Sequence, residues 1–262
     1  MDFGIAGKTA FVVGGSQGIG GAAAAQLGRE GCKVAIVARR QGPIDEAVAA
    51  IKAAGGTAVG IPGDVQTKEG VARALATCRD AFGDPEIVVG QGNDKRHASF
   101  WDSEDETFVE VFRNFTMSTI YLARETLPFM RKNKWGRFVH IGSGTAKEPE
   151  TRFDHALANV ARPSTIGLLK TLVDDVAADG VTINTVAPGW IHTPAVDGLF
   201  ASKGMTVEEG KQWLRDTMRI PAGRAGDPQE IASLVTYLCS VPAGYINGCW
   251  FHVDGGKHRS IF

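Results

Sequence analysis

Seven short runs rich in β-branched and other apolar residues recur along the chain: "TAFVVGG", "KVAIVAR", "TAVGIPGDV", "EIVVGQG", "GRFVHIGSG", "VTINTVAPG" and "CWFHVDGG". Longer stretches with helical spacing of their apolar residues lie between them, at about 21–30, 44–54, 67–81, 105–132, 164–179 and 228–240. Strands that alternate with helices pair in parallel, because a parallel crossover needs a dozen or more residues and a helix supplies them. Helices then cover both faces of the sheet, which is why the runs are apolar throughout instead of alternating. The expected fold is α/β: a single Rossmann-type, doubly wound parallel sheet of about seven strands with helices on both faces. No repeat, linker or low-complexity tract interrupts the 262 residues, so one domain spanning 1–262 is expected. The stretch 193–222 follows a strand end and carries no strand of its own. Insertions at carboxyl strand ends build the ligand crevice of such sheets, so this stretch, irregular and then helical, is expected to be a substrate lid.

Charge excludes several classes of partner. Lys plus Arg number 28 against 29 Asp plus Glu, a net charge of -1, so neither nucleic acid nor an anionic membrane is expected. A small molecule is the expected ligand. The opening "MDFGIAGKTAFVVGG" is acidic where a secretory leader is basic, and glycine breaks its apolar run. No apolar run is long enough to span a bilayer. Cys32, Cys78, Cys239 and Cys249 lie far apart without ligand spacing, so no metal site is expected and a cytoplasmic location fits.

"GGSQGIG", residues 14–20, joins the first strand to the first helix. Glycine at 14, 18 and 20 opens backbone angles closed to other residues and lets the main chain approach a pyrophosphate at the helix N-terminus. Gly14, Ser16, Gly18, Ile19 and Gly20 are therefore expected to bind a dinucleotide; without a ligand they are a tight strand-to-helix turn. The second strand ends "VARR". Where an NAD binder carries an acid for the ribose hydroxyls, this chain has Ala38, Arg39 and Arg40. Guanidinium groups suit a 2'-phosphate, so NADP(H) is expected in preference to NAD(H), the alternative being two solvated charges at a helix entry. In "GDV", Asp64 and Val65 are placed for the adenine, although an Asp there is equally an ordinary helix N-cap.

These features, with Asn114 in "FRNFTMS", Ser143 in "GRFVHIGSG", "NTVAPGWIHTP", "GRAGDPQEIASLVTYLCS" and "YINGCWFHVDGG", resemble the short-chain dehydrogenase/reductase family over almost the whole chain. Within it the chain resembles the 3-oxoacyl-[acyl-carrier-protein] reductase-like group. The resemblance implies that Ser143 polarises a substrate carbonyl and Asn114 holds a water of a proton relay. It also implies that Pro188, Gly189, Ile191 and Thr193 bracket the nicotinamide. From the residues alone, Ser143 is also a turn hydroxyl, Asn114 a helix-interior amide and "PGW" a plain turn.

Two departures make the resemblance that of an atypical subgroup. The family's Asn-Asn-Ala-Gly stands here as "GQGN", residues 90–93, and its Tyr-x-x-x-Lys aligns with Ala158-x-x-x-Arg162. In the family the tyrosine protonates the nascent alkoxide, while the lysine lowers its pKa and binds the nicotinamide ribose. Alanine carries no proton. Arg162 is expected to hold the ribose through its fork of donors, but stays protonated and makes a poor shuttle. His155, three residues before Ala158 and on the same helical face, is the candidate acid/base, or else a solvated or capping residue beside Asp154. His97, His140 and His192 are further candidates, with His140 expected to be packed within a strand; Asp94 and Glu148 are the nearby carboxylates.

The expected function is NADP(H)-dependent hydride transfer to or from a carbonyl or secondary alcohol, 3-oxoacyl reductase-like, with the proton drawn from water or a histidine. The alternatives are a non-redox lyase, hydratase or dehalogenase on the same fold, and a catalytically silent NADP-binding sensor. Leu199, Phe200, Met205, Trp213 and Met218 either line an apolar substrate site or dock the lid, and Lys203 and Lys211 either meet an acyl-carrier phosphate or face solvent. The helices at 105–132 and 164–179, with "YINGCWFHVDGG", resemble the family's contact surfaces and imply a homo-oligomer, dimer or tetramer.

Overall fold

The structure, a computed structural model, describes residues 2–92, 94, 98–151, 155–218 and 220–261, with the side chain of Ala195 set aside. Asn93, His97 and Asp154, singled out above, lie outside the described residues. All seven expected strands are present: β1 (Thr9–Val13), β2 (Lys33–Ala38), β3 (Thr57–Pro62), β4 (Ile87–Gln91), β5 (Gly136–Ile141), β6 (Val181–Pro188) and β7 (Trp250–Val253). They form one sheet in the order β3-β2-β1-β4-β5-β6-β7, each neighbouring pair parallel.

Alternation along each strand sorts side chains between two cores. Ala10, Val12, Val34 and Ile36 enter one core, which is closed by α1 (Gly18–Arg29), α2 (Gln41–Ala53) and α9 (Pro228–Leu238). Phe11, Val13, Ala35 and Val37 enter the other, closed by α3 (Lys68–Phe82), α5 (Ser118–Lys132) and α6 (Ala156–Val176). Burial on both faces explains why the strands read as unbroken apolar runs. The order reverses between β1 and β4, so the connections leaving their carboxyl ends run to opposite faces, the place where such sheets form a crevice.

Three helical expectations need correction. The segment 105–132 is interrupted: α4 (Asp105–Phe112) leads into a π turn, Arg113–Met117, before α5. The hydroxyls of Ser118 and Thr119 donate to the carbonyls of Asn114 and Phe115, each at 2.9 Å, beside the widened turn. The helix expected from 164 starts at Ala156 and contains Pro163, whose missing N–H removes one bond without ending the helix. The stretch 193–222 is helical from its beginning, as α7 (Pro194–Ser202) and α8 (Val207–Met218), with Pro194 at the first position, where its fixed φ favours a start. Phe200, Leu214, Met218 and Ile220 form a local apolar cluster, and Trp213 meets Trp190 edge-on at 6.4 Å. Most of the apolar residues in that stretch therefore pack α7 and α8 against each other, with Trp190 and Ala225 at the edge, and Leu199 alone of the five named above lines the cleft described below.

Candidate functional site

The β1–α1 turn keeps a cradle that side chains would fill. Gly14 and Gly18 hold φ of +65° and +57°, and a Cβ on Gly20 would stand 2.5 Å from the Gly14 carbonyl oxygen. Gln91, at the end of β4, braces the turn by donating from Nε2 to the Val13 carbonyl at 2.8 Å. It belongs to the "GQGN" stretch singled out above. Gln17, the N-cap of α1, makes no capping bond and no acid stands in the first turn, so the helix N-terminus offers its N–H groups to an anion. Ser16 and Ile19 are half-buried in this turn, and Thr193 packs beside Gly18.

Arg39 and Arg40 are both exposed at the end of β2. Arg40 donates to Gln17 Oε1 at 2.6 Å, which ties β2 to the glycine turn, whereas Arg39 makes no hydrogen bond or ion pair among the described residues. Asp64 accepts from the Gln66 amide at 2.9 Å, an Asx turn, and the N-cap of α3 is Thr67 instead. Val65 packs half-buried against the second core.

A cleft of about 540 Å³ opens at the carboxyl ends of β5 and β6. Ile19, Pro188, Gly189, Ile191 and Thr193 line one side, with Trp190 and Leu199, so the cofactor-end residues and the 193–202 stretch share one space. On its floor Arg162 Nη1 donates to Thr145 Oγ1 at 2.6 Å and to Ser143 Oγ at 3.2 Å, and the two hydroxyl oxygens are 3.3 Å apart. Phe115 lies under the guanidinium, its ring centroid 5.3 Å from Cζ. Burial holds the Arg162 pKa below its ordinary value, at about 10, so the group remains charged near neutrality. Ala158, one turn earlier on α6, is buried.

Of the other candidates, His155 lines the cleft from the start of α6. Asn114 makes no hydrogen bond to Ser143 or Arg162; its amide donates to Asp94 Oδ2 at 2.7 Å, and Asp94 is the member of that pair that faces the cleft. His140 is buried, as expected, behind Ser143 and Arg162, and desolvation followed by the charge of Arg162 lowers its pKa to about 4. His192 pairs with Asp197 at 2.9 Å on the surface. Lys211 pairs with Glu208 at 2.6 Å and Lys203 lies 5.5 Å from the Trp213 ring centre, so both are engaged on the outer helices.

Two groups of residues went unnoticed in the sequence. Thr145 reads there as part of a loop. The segment after β7 returns to the cleft, where Lys257 meets Glu150 at 3.0 Å and His258 meets Glu148 at 2.9 Å, with His258 stacked on His252 at 3.9 Å. Among the described residues no three metal-ligating side chains converge, and no helix is long and apolar enough to cross a membrane.

The family profile described as Enoyl-(Acyl carrier protein) reductase matches residues 13–258. The chain is similar to the short-chain reductase protein NovJ of Streptomyces niveus, 32% identical over 253 residues that cover 95% of this chain and 94% of that protein. It is similar to the 3-oxoacyl-[acyl-carrier-protein] reductase FabG of Haemophilus influenzae, 33% identical over 257 residues, 97% of this chain and 99% of that one. Among solved structures it is similar to L-sorbose reductase from Gluconobacter frateurii complexed with NADPH and L-sorbose, with a TM-score of 0.91, 29% identity and the whole of both chains covered.

Proposed function

The chain belongs to the short-chain dehydrogenase/reductase family and is an oxidoreductase of that type, and we propose that it is an NADP(H)-dependent, 3-oxoacyl reductase-like enzyme acting on a carbonyl or secondary alcohol without the family's Tyr-x-x-x-Lys pair. Gly14, Ser16, Gly18, Ile19 and Gly20 would hold the pyrophosphate, Arg39 with Arg40 the 2'-phosphate, and Asp64 and Val65 the adenine. Pro188, Gly189, Ile191 and Thr193 would flank the nicotinamide. The uncapped helix, the cradle a Cβ would fill and Arg39, which has no partner among the described residues, all fit such a group. NADPH bound there supplies the hydride. The NADPH complex of the similar L-sorbose reductase supports the same choice of cofactor.

The observation that carries the proposal is the Ser143–Thr145–Arg162 cluster in the cleft lined by Pro188 to Thr193. Ser143 donates to the carbonyl oxygen, and the Arg162 guanidinium stabilises the negative charge that grows there, a task worth about 3–4 kcal/mol for a preorganised donor. In this scheme Arg162 serves the substrate oxygen in place of the missing tyrosine, besides holding the nicotinamide ribose. Because Ala158 carries no proton, the alkoxide takes it from His155 or from solvent, and Asp94, positioned by Asn114, borders the same space. The stretch 193–222 acts as the lid of this single-domain enzyme, Leu199 facing the substrate.

NADPH titration followed by turnover with a panel of ketones and 3-oxoacyl thioesters tests the proposal. Oxidation of NADPH dependent on a carbonyl, lost in Ser143→Ala, is expected. Tight NADPH binding with no turnover on any carbonyl overturns it and leaves the sensor alternative. A homo-oligomer is proposed as well, supported by an apolar groove of about 380 Å³ between α5 and α6, lined by Ile120, Leu127, Leu168 and Leu172. A monomeric mass in light scattering at micromolar concentration overturns that part. A reducing, cytoplasmic setting is supported by four free cysteines, of which Cys249 is exposed.

A further inference from the structure

Among the described residues four carboxylates line the cleft, Asp94, Glu148, Glu150 and Asp254, and each has a hydrogen-bond or ionic partner. Glu148 is met by His258, Glu150 by Lys257 and Asp94 by the Asn114 amide. Asp254 accepts from the backbone amides of Gly256 at 2.9 Å and His258 at 2.8 Å. Arg162 is the remaining cation on the floor, and among the described residues no carboxylate pairs with it. Its only acceptors there are two neutral hydroxyls, both taken by Nη1, so the other guanidinium N–H groups find none among the described residues. A guanidinium presents five donors, and a half-buried one with two neutral acceptors is short of both acceptors and negative charge.

The hydroxyls sharpen this shortage. An oxygen that accepts from a guanidinium has its own O–H left to give. Ser143 and Thr145 are 3.3 Å apart, so one can donate to the other, but both cannot do so at once. At least one O–H therefore remains, beside the spare N–H groups of Arg162, and Ser143, Thr145 and Arg162 all line the cleft. Such a spot binds an oxyanion, and its charge-assisted bonds are about twice as strong as neutral ones.

We propose that the Arg162–Thr145 side of this floor binds a carboxylate of the substrate, and that the substrate is an oxo acid, or its hydroxy acid, with the carboxylate one or two carbons from the reacting carbonyl. The carbonyl part rests on the function proposed above. With the carbonyl oxygen at Ser143, the second oxygen-binding point lies only as far off as the Thr145 hydroxyl, a spacing that neighbouring functional groups span and distant ones do not. A thioester in that place would bring a neutral oxygen and leave the Arg162 charge unmatched.

The test is calorimetric titration of the protein, with and without NADPH, using oxamate and acetoacetate against the neutral methyl oxamate and methyl acetoacetate. The acids are expected to bind at least about tenfold tighter than the esters, the factor that one charge-assisted hydrogen bond supplies. The preference disappears in Arg162→Met and shrinks severalfold in Thr145→Val, which keeps the charge. If Arg162→Met does not fold by circular dichroism, Thr145→Val decides. Esters that bind as well as acids, or a preference that survives both substitutions, overturn the carboxylate site. Turnover confined to neutral ketones overturns the oxo-acid assignment while leaving the oxidoreductase intact. Acid-selective binding with no NADPH oxidation by any carbonyl sustains the anion site and overturns the oxidoreductase proposal instead.

Discussion

Replacing Arg162 by Met separates what this residue does for folding from what it does for the site. Burial moves its pKa from 12.5 to about 10, so keeping it charged costs the folded state about 3 kcal/mol at 1.36 kcal/mol per unit. Two hydrogen bonds from the charged donor to Ser143 and Thr145, and the Phe115 face beneath the guanidinium, return on the order of 3–5 kcal/mol. These terms nearly cancel, and Met replaces much of the aliphatic stem with adaptable apolar volume. The variant is therefore expected within about 2 kcal/mol of wild type, whereas breaking a buried ion pair costs about 3–5 kcal/mol. Urea denaturation with an unchanged slope measures the difference. Carbonyl-dependent NADPH oxidation by the same variant is expected to fall at least about a hundredfold in kcat/KM. A stability loss beyond about 3 kcal/mol would mean that Arg162 holds the fold together through a partner not counted here. Unchanged activity would refute its part in stabilising the substrate oxygen.

Other outcomes follow from the same geometry. Arg39→Ala is expected to weaken NADPH about 10- to 150-fold in a fluorescence titration and to leave NADH nearly unchanged, since it removes a charge-assisted contact proposed to the 2'-phosphate; equal losses for both cofactors count against that contact. Gly14→Ala places a Cβ 1.9 Å from Gln91 Nε2 at a φ of +65°, so it should cost about 2–3 kcal/mol in stability, from the left-handed backbone and the broken bond to Val13, and NADPH binding should fall with it. His155→Ala should lower turnover about 10²–10⁴-fold if the imidazole delivers the proton, and leave it nearly unchanged if solvent does. His140, whose pKa of about 4 lies below the 6.5 of the unfolded chain, takes up its proton only on unfolding between those values, so stability is lost as pH falls through that window. Denaturation should show about 2 kcal/mol less stability from this group at pH 5 than at pH 7, and His140→Gln should remove that part of the slope.

The sheet was legible because a strand buried on both faces has to be apolar throughout, and seven such runs separated by helical stretches admit few other arrangements. The glycine turn was legible because its spacing sits between a strand and a helix, and Ser143 and Arg162 were placed by register against the family motif. Pro163 hid the first two turns of α6, since proline usually marks a helix start and here it sits inside one. The π turn at Arg113–Met117 leaves the apolar periodicity of its flanks intact, so 105–132 read as one helix. Thr145 was missed because "SGT" at a strand end has the composition of any turn. The pairs Lys257–Glu150 and His258–Glu148 join positions more than a hundred residues apart, and no local spacing encodes a contact made only when β7 closes the sheet edge.

On the proposed alignment with the family's Tyr-x-x-x-Lys, Ala158 and Arg162 amount to one change. Long side chains on a helix lean toward its N-terminus, so the tip of a residue covers the turn before its own Cα. Arg162 follows Ala158 by four residues on α6, and its guanidinium therefore extends over the turn that an alanine leaves low. There it meets Ser143 and Thr145 from the neighbouring strand end and rests on Phe115 from the π turn. On that alignment a small residue at 158 and a long cation at 162 put a permanent donor where the family's tyrosine hydroxyl would stand. Restoring tyrosine alone, as Ala158→Tyr, would set a phenol against that guanidinium, so the paired change Ala158→Tyr with Arg162→Lys is the one that should rebuild a tyrosine acid. Higher ketone reductase activity in the pair than in either single variant would show that the two positions act together, and additive effects would show that they do not.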